Sequence, residues 1–279
     1  MKKFLSALLA VLMFAVLFSA CNTNTDKKAS DEVTEVTGWQ YIVDKNELVV
    51  GLDATFAPMG FTDENGEIIG FDIDLANEVS KIIGVPVRFQ PISWDTKELE
   101  LSSKRIDCIW NGMSKTPARE EEMALTQPYL NNRIVIMGKN ADQIAAIEDL
   151  VGLNIGIQAE SSALDALKEH AVYASVQDKV IELVSYDEVI MDMKAGRVDV
   201  MIVDEVLGEY KNLQLDEADK MAISPATFKD DLYVIGCRKG ETDVVEKLEG
   251  AIKTLMDDGT ALALSEKWFA GQNLLVPMA

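Results

Sequence analysis

The feature that most constrains the fold is an internal echo. LVVGLDAT (Leu48–Thr55) resembles LNIGIQAE (Leu153–Glu160), and KRIDCIWNG (Lys104–Gly112) resembles GRVDVMIVD (Gly196–Asp204), in the same order in both halves of the chain. Each run is short and apolar and ends on polar residues. The simplest cause is two lobes of similar build, each starting with one strand type and later using the other. Helical patterns lie between the strands. GFDIDLANEVSKIIG carries apolar residues at Ile73, Ala76, Val79, Ile82 and Ile83, a helical period; Gly84 stops it, and Pro86 opens the strand VPVRFQPI. SSALDALKEH and YDEVIMDMKAG are the matching helices of the second half. Short apolar strands alternating with helices predict an α/β fold, with a mostly parallel sheet flanked by helices in each lobe. Ligands of such sheets bind outside the carboxyl ends of the strands, so facing lobes would line one cleft with both sets of strand ends. NNRIVIMGK (Asn131–Lys139) and DDLYVIGCRKG (Asp230–Gly240) are expected to be two hinge crossings. They divide the chain into one lobe of residues 39–131 plus 231–279 and a second of residues 132–230. The last helices, VVEKLEGAIKTLMDDG and TALALSEKWFAG, have ordinary amphipathic spacing, and Trp268 and Phe269 read as core.

The N-terminus is a targeting segment. MKKFLSALLAVLMFAVLFSAC has two lysines and then an apolar run from Phe4 to Phe18, too short for the roughly 20 residues that span a bilayer. A basic start, an apolar middle and a small-residue end make residues 1–20 a signal peptide. The FSAC ending at Cys21 resembles the lipobox of bacterial lipoproteins, with Phe18 where Leu is more common. That resemblance implies cleavage before Cys21 and lipidation of its thiol; the alternative is a plain secretory signal with an incidental cysteine. Residues 21–38 are polar, without apolar periodicity, and read as a flexible tether.

Composition excludes several classes. The formal charge is −21, from 26 basic and 47 acidic residues. Nucleic acid is disfavoured as a partner, because phosphate binding needs clustered Lys and Arg. The overall field favours solubility and, weakly, cationic or zwitterionic ligands. Cys108 and Cys237 each sit in an apolar strand-like run; they could pair in an exported protein or remain buried thiols. His170 is the only histidine, so there is no Cys/His metal spacing and no Ser-His or Cys-His nucleophile pair. Neither GxxxxGK[ST] nor GxGxxG occurs. No metal and no cofactor are expected.

Four polar clusters fall at expected strand ends: Asp53 with Thr55 and Phe56, Trp110-Asn111-Gly112, Gln158 with Ser161 and Ser162, and Asp204. They suit a free amino acid. Its carboxylate needs a fork of donors, which Arg supplies, or N–H groups at a helix N-terminus. Thr116-Pro117 reads as an N-cap followed by Pro at the first helical position, which puts Arg119 in the first turn. Ser161 or Ser162 opens the corresponding helix. The ammonium needs acceptors, for which Asp204 and the oxygens from Asn111 to Ser114 are candidates. Strand alternation buries Trp110 if Asn111 faces the cleft.

GLDATFAPMGFTDENGEIIGFDIDLANEV, WNGMSKTPAR, IGIQAESS and AGRVDVMIVDE resemble the polar-amino-acid solute-binding proteins of ABC importers, over about residues 39 to 270. The resemblance implies a type II periplasmic-binding-protein fold with a Venus-flytrap cleft. It also implies residue roles. Arg119 would hold the ligand α-carboxylate, helped by Ser114 and the Ser162 N–H. Asp204 would hold the α-ammonium with a backbone carbonyl near Gly112. Phe56 and Trp94 would sandwich the side chain, and Asp53 would face its distal end. Three positions depart from the family pattern. Glu160 stands where Gly is usual, Met59-Gly60 precede Phe61 where an aromatic is frequent, and Asn111 and Gly112 replace small hydroxyl residues.

Plainer readings exist for the same residues. Arg119 beside Glu120–Glu122 could be a surface ion pair, Asp204 beside Glu205 a solvated turn, Asp53 a local cap and Trp94 a core residue. Asp72 and Asp74 read as first-turn acids of a helix. Asp53 disfavours an anionic ligand side chain. Together with an aromatic sandwich it suits Arg or Lys, whereas Gln158 favours a polar ligand such as glutamine or cystine. The leading expectation is a non-enzymatic, monomeric lipoprotein receptor. It would be anchored outside the cytoplasm through its N-terminal lipid and would deliver an amino acid to an ABC permease. The enzymatic alternative is a cyclohexadienyl dehydratase with Glu160 or Asp53 as acid or base.

Overall fold

The computed structural model describes residues 37–279. Eight strands carry the architecture: β1 (Leu48–Leu52), β2 (Val87–Pro91), β3 (Cys108–Ser114), β4 (Leu130–Gly138), β5 (Ile155–Gln158), β6 (Val180–Leu183), β7 (Val200–Asp204) and β8 (Ala222–Arg238). The echo in the sequence corresponds to an echo in space. β1 pairs in parallel with β2 and β3, and β5 pairs in parallel with β6 and β7. Each half therefore has its first strand in the middle, and the repeated runs occupy equivalent places. β1, β3, β5 and β7 are buried along their whole length, as parallel strands covered on both faces must be.

The two halves do not have separate sheets. β4 and β8 are antiparallel partners; β4 also pairs with β7 of one half, and β8 with β3 of the other. The order β6-β5-β7-β4-β8-β3-β1-β2 is thus continuous. The cause is the length of β8. Its first part satisfies β4 and its last part satisfies β3, so no free edge is left where the halves meet. Asn132 and Asp231 are register partners in this crossing.

The helix Phe71–Ile83 shows how local sequence sets the frame. It buries Phe71, Ile73, Leu75, Ala76 and Val79 and ends on Gly84 in the left-handed region. Ile82, which fits the apolar period, is exposed. At the other end the Phe71 and Asp72 N–H groups donate to the Pro58 and Met59 carbonyls at 2.8 and 2.9 Å. This satisfies donors that a helix start leaves free. The approach needs Gly70: its φ is 145°, and a Cβ there would lie 2.3 Å from the Met59 oxygen. Gly70→Ala is therefore expected to cost about 3 kcal/mol or more through strain and backbone overlap. A urea melt showing less than about 1 kcal/mol of loss would contradict this reading.

Trp110 is fully buried, edge-on to Tyr129 with 69° between the ring planes, and does not line the cleft. Phe269 is buried, and Trp268 packs half-buried on the core while its Nε1 donates to Asp74. Cys108 and Cys237 face each other across β3 and β8 as free, buried thiols. Residues 1–36, on which the expected signal peptide, the expected lipidation at Cys21 and most of the expected tether fall, lie outside the described residues.

Candidate functional site

The polar clusters sit at the carboxyl ends of β1, β3, β5 and β7, where the two halves face each other. Asp53 follows β1. Its Oδ1 accepts from the Thr55 N–H and hydroxyl at 2.9 and 2.7 Å, and its own N–H donates to Asn111 Oδ1 at 3.0 Å. Its Oδ2 accepts from Gln158 Nε2, in the other half, at 2.8 Å. The local-cap reading of Asp53 is thus real but incomplete: one oxygen caps the turn, the other reaches across. Gln158 donates to the Val184 carbonyl as well, at 2.9 Å, which fixes its amide.

Beyond Asn111, Gly112 has φ 57°. A Cβ there would be 3.0 Å from Met59, Phe56 and Tyr233 side chains, so the backbone is brought to the cavity wall by the lack of a side chain. The Gly112 N–H donates to Asp72 Oδ2 at 2.8 Å, and Tyr129 OH donates to Asp72 Oδ1 at 2.8 Å. Asp72, which reads in sequence as a first-turn acid, ties its helix to β3. Ser114 closes the strand. Its Oγ shares a hydrogen bond with Ser162 Oγ at 2.7 Å and donates to Asp231 at 2.7 Å.

Thr116 caps the turn Pro117–Glu122 by accepting from the Arg119 N–H at 3.3 Å. Arg119 is not on the surface: it is 6% exposed. Its guanidinium donates to the Ser114 carbonyl at 2.7 Å and lies over the Trp94 ring, 5.8 Å from the centroid. Burial pulls its proton affinity down, yet an arginine keeps its charge. On the opposite wall Ser161 caps the helix Ser162–Glu169, accepting from the Leu164 N–H at 3.1 Å. The first-turn N–H groups add partial positive charge there. Asp204 is buried; its Oδ1 accepts from Asn132 Nδ2 at 2.7 Å and from Tyr233 OH at 2.9 Å.

Phe56, Trp94, Gly112, Ser114, Arg119, Gln158, Ser161, Ser162 and Asp204 line one small cavity between the halves. Asp53 stands at its edge through Gln158. Asn111 sits one layer behind, its oxygen on the Asp53 amide and its Nδ2 buried without a partner among the described residues. Glu160 has φ 54° and an exposed side chain. It occupies a left-handed position that suits glycine, and it is not among the residues that line the cavity.

Sequence reasoning missed Asn132, Asp231, Tyr233 and Lys97. The first three come together only through the register of β4 and β8. Lys97 lies in the charged run TKELELSSKR, which reads as a solvated helix face, yet it is 2% exposed. Its Nζ pairs with Glu98 at 3.0 Å and reaches the Trp94 carbonyl at 3.2 Å and, across the cleft, the Glu160 carbonyl at 3.4 Å. Burial and the neighbouring Arg119 lower its proton affinity.

Two carboxyls are displaced the other way. Burial raises Asp72 to about 7 despite its donors, and burial with Asp231 alongside raises Asp204 to about 7. Both groups bind a proton more tightly folded than unfolded. Their contribution to stability is full below about pH 4 and is lost as pH rises through about 7. A tenfold difference in proton affinity is worth about 1.4 kcal/mol, so Asp72 can contribute up to roughly 4 kcal/mol over that window. Asp72→Asn, which keeps an acceptor for the Gly112 N–H, is expected to flatten the fall in stability between pH 4 and 7. An unchanged slope in denaturant melts would refute the assignment.

A buried arginine and a buried carboxylate facing each other across two half-sheets define a two-lobed solute-binding protein. The chain matches the model of the bacterial extracellular solute-binding proteins, family 3, over residues 48–271 and belongs to that family. It is a polar-amino-acid solute-binding protein with the type II periplasmic-binding-protein fold. The L-cystine-binding protein TcyA of Bacillus subtilis (strain 168) is 29% identical over 96% of this chain and 98% of its own. A substrate-binding protein of an ABC uptake transporter from Streptococcus pneumoniae, solved with bound histidine, superposes with a TM-score of 0.81. It is 32% identical and is matched over 86% of this chain and 98% of its own. An ancestral arginine-binding protein bound to glutamine gives a TM-score of 0.74 at 36% identity, over 80% and 98%. No helix among the described residues is long and apolar enough to cross a membrane.

Proposed function

We propose that this protein is an extracytoplasmic receptor that captures one amino acid between its lobes and delivers it to an ABC importer. The observation that carries this is the pairing of Arg119 and Asp204 on opposite walls of a single buried cavity. Arg119, with Ser114 and the Ser162 N–H, holds the α-carboxylate. Asp204 holds the α-ammonium with a carbonyl near Gly112. Phe56 and Trp94 pack the ligand side chain, and Asp53 and Gln158 face its distal end, backed by Asn111; Ser161 orders the helix that presents Ser162. One lobe comprises residues 39–131 and 231–279, the other residues 132–230. Closure selects the occupied state, because only then do both charges meet their partners. Residues 1–20 direct export, Cys21 carries lipid, and residues 21–38 tether a monomeric domain to the membrane. In this reading the site holds its ligand without altering it; the curated relatives are named as binding proteins.

The ligand is a cationic amino acid such as arginine or lysine, or a polar one such as glutamine or cystine. Relatives that bind cystine, histidine or glutamine support this range. Asp53 decides within it. Asp53→Asn keeps an oxygen for Thr55 but removes the charge. It is expected to weaken a cationic ligand by more than about tenfold and glutamine or cystine much less. Thermal shift across an amino-acid panel reads this directly, since a ligand at 100 times its Kd stabilises by about 2.7 kcal/mol. Equal weakening of both ligand types would sink the role given to Asp53, and no shift with any amino acid would sink the receptor.

A further inference from the structure

We propose that Asp231 is a second carboxylate of the ammonium site, acting on Asp204 through the shared amide of Asn132, and that this trio couples ligand charge to the hinge. The inference rests on the amino-acid-binding reading above and deepens it.

The geometry is a continuous chain of hydrogen bonds. Ser162 Oγ meets Ser114 Oγ at 2.7 Å across the cleft, and Ser114 Oγ meets Asp231 Oδ2 at 2.7 Å. Asn132 Nδ2 then donates to Asp231 Oδ2 at 2.9 Å and to Asp204 Oδ1 at 2.7 Å. Asp231 lies on β8 and Asn132 on β4, opposite one another where both strands cross between the halves. These two strands are the ones that connect the halves, so the trio sits where the halves are joined. Ser114 belongs to one half and Asp204 to the other, so the chain joins both walls of the site through both crossings.

The charge in this chain is unbalanced. Asp204 and Asp231 are 3% and 5% exposed, and one amide group bonds both. Burial, and then the charge of Asp231 alongside, raise the proton affinity of Asp204, so a proton held on Asp204 relieves the repulsion between the two. The groups facing the pair are Arg119, whose charge lowers the proton affinity of Asp204, and the phenols Tyr233 and Tyr186. Behind the pair a cavity lined by Asn132 and Asp231 also holds Arg133, Glu205, Glu209 and Asp230. That cavity shares no lining residue with the ligand cavity, and it offers the proton a route to water separate from the cleft.

An incoming ammonium replaces this proton. The protonated pair, of net charge −1, takes up the cation and releases one H⁺ to solvent, leaving two carboxylates beside one ammonium. Below about pH 7, affinity then rises about tenfold per pH unit, and above it levels off. Asp231 is in this sense a positioning residue: it sets the protonation and orientation of the carboxylate that touches ligand.

The test is calorimetry at pH 6 in two buffers of different ionisation enthalpy, using whichever amino acid gives a thermal shift. The full protein is expected to release about one proton per ligand bound. Asp231→Asn is expected to release close to none and to bind about tenfold more weakly, with Asp231→Glu restoring the proton release. A packing defect alone would weaken binding without moving the proton count. Binding without proton release by the unaltered protein overturns the inference and leaves the receptor reading intact. Unchanged release in Asp231→Asn does the same, and no binding of any amino acid overturns both. Should Asp231→Asn fail to fold, the slope of log affinity against pH in the unaltered protein decides: near one between pH 5 and 6.5 supports the shared proton, near zero overturns it.

Discussion

Arg119→Ala is expected to raise the ligand Kd by at least about 30-fold, more than about 2 kcal/mol. The guanidinium is already desolvated, pinned by the Ser114 carbonyl and laid over Trp94. Its ordering is complete before ligand arrives, and that preorganisation makes a fork of donors effective. Without it the α-carboxylate would be buried against a helix N-terminus and hydroxyls alone. Arg119→Lys is not expected to rescue binding, because an ammonium cannot supply two parallel donors from the same place. The loss should be separable from folding. Burial disfavours the Arg119 charge in the protein, so stability without ligand should fall by less than the binding energy. Affinity within threefold of the unaltered protein would remove Arg119 from the site.

Asp204→Ala is the second large effect, also expected to exceed about 2 kcal/mol in affinity. The carboxylate is the one anion on the far wall that lines the cavity. Its removal leaves the ammonium facing only carbonyl and hydroxyl oxygens. It also leaves Asn132 and Tyr233 without the acceptor they share. Because the folded protein binds a proton at Asp204 up to about pH 7, the stability of Asp204→Ala without ligand should approach or exceed that of the unaltered protein at pH 8. At pH 5 it should be lower. Affinity retained within threefold at pH 7 would contradict the ammonium role.

What was legible in the sequence was local. The strands and their echo follow from short apolar runs ending in polar residues, and Thr116-Pro117 and Ser161 announce helix starts through capping chemistry that needs no tertiary context. Glycines were legible as stops but not as approaches: nothing in FAPMG or in IIGF tells that the Gly70 backbone must lie against Met59. The joined sheet was hidden because it depends on β4 and β8, distant in sequence and antiparallel. The same distance hid Asn132 and Asp231, which look like solvated hinge residues until register places them together. Lys97 was hidden by its neighbours, since a lysine among glutamates reads as surface. Asn111 follows the strand alternation loosely: its side-chain oxygen meets the Asp53 amide, and it is not among the cavity-lining residues.

The central claim is that the cleft binds a free amino acid without altering it. Isothermal titration of the purified protein against the common amino acids and cystine, with product analysis of the same samples and of a parallel incubation with prephenate, tests it most directly. The account predicts saturable one-to-one binding of at least one cationic or polar amino acid, the ligand recovered unchanged and prephenate untouched. Turnover of prephenate with no heat from any amino acid would contradict it.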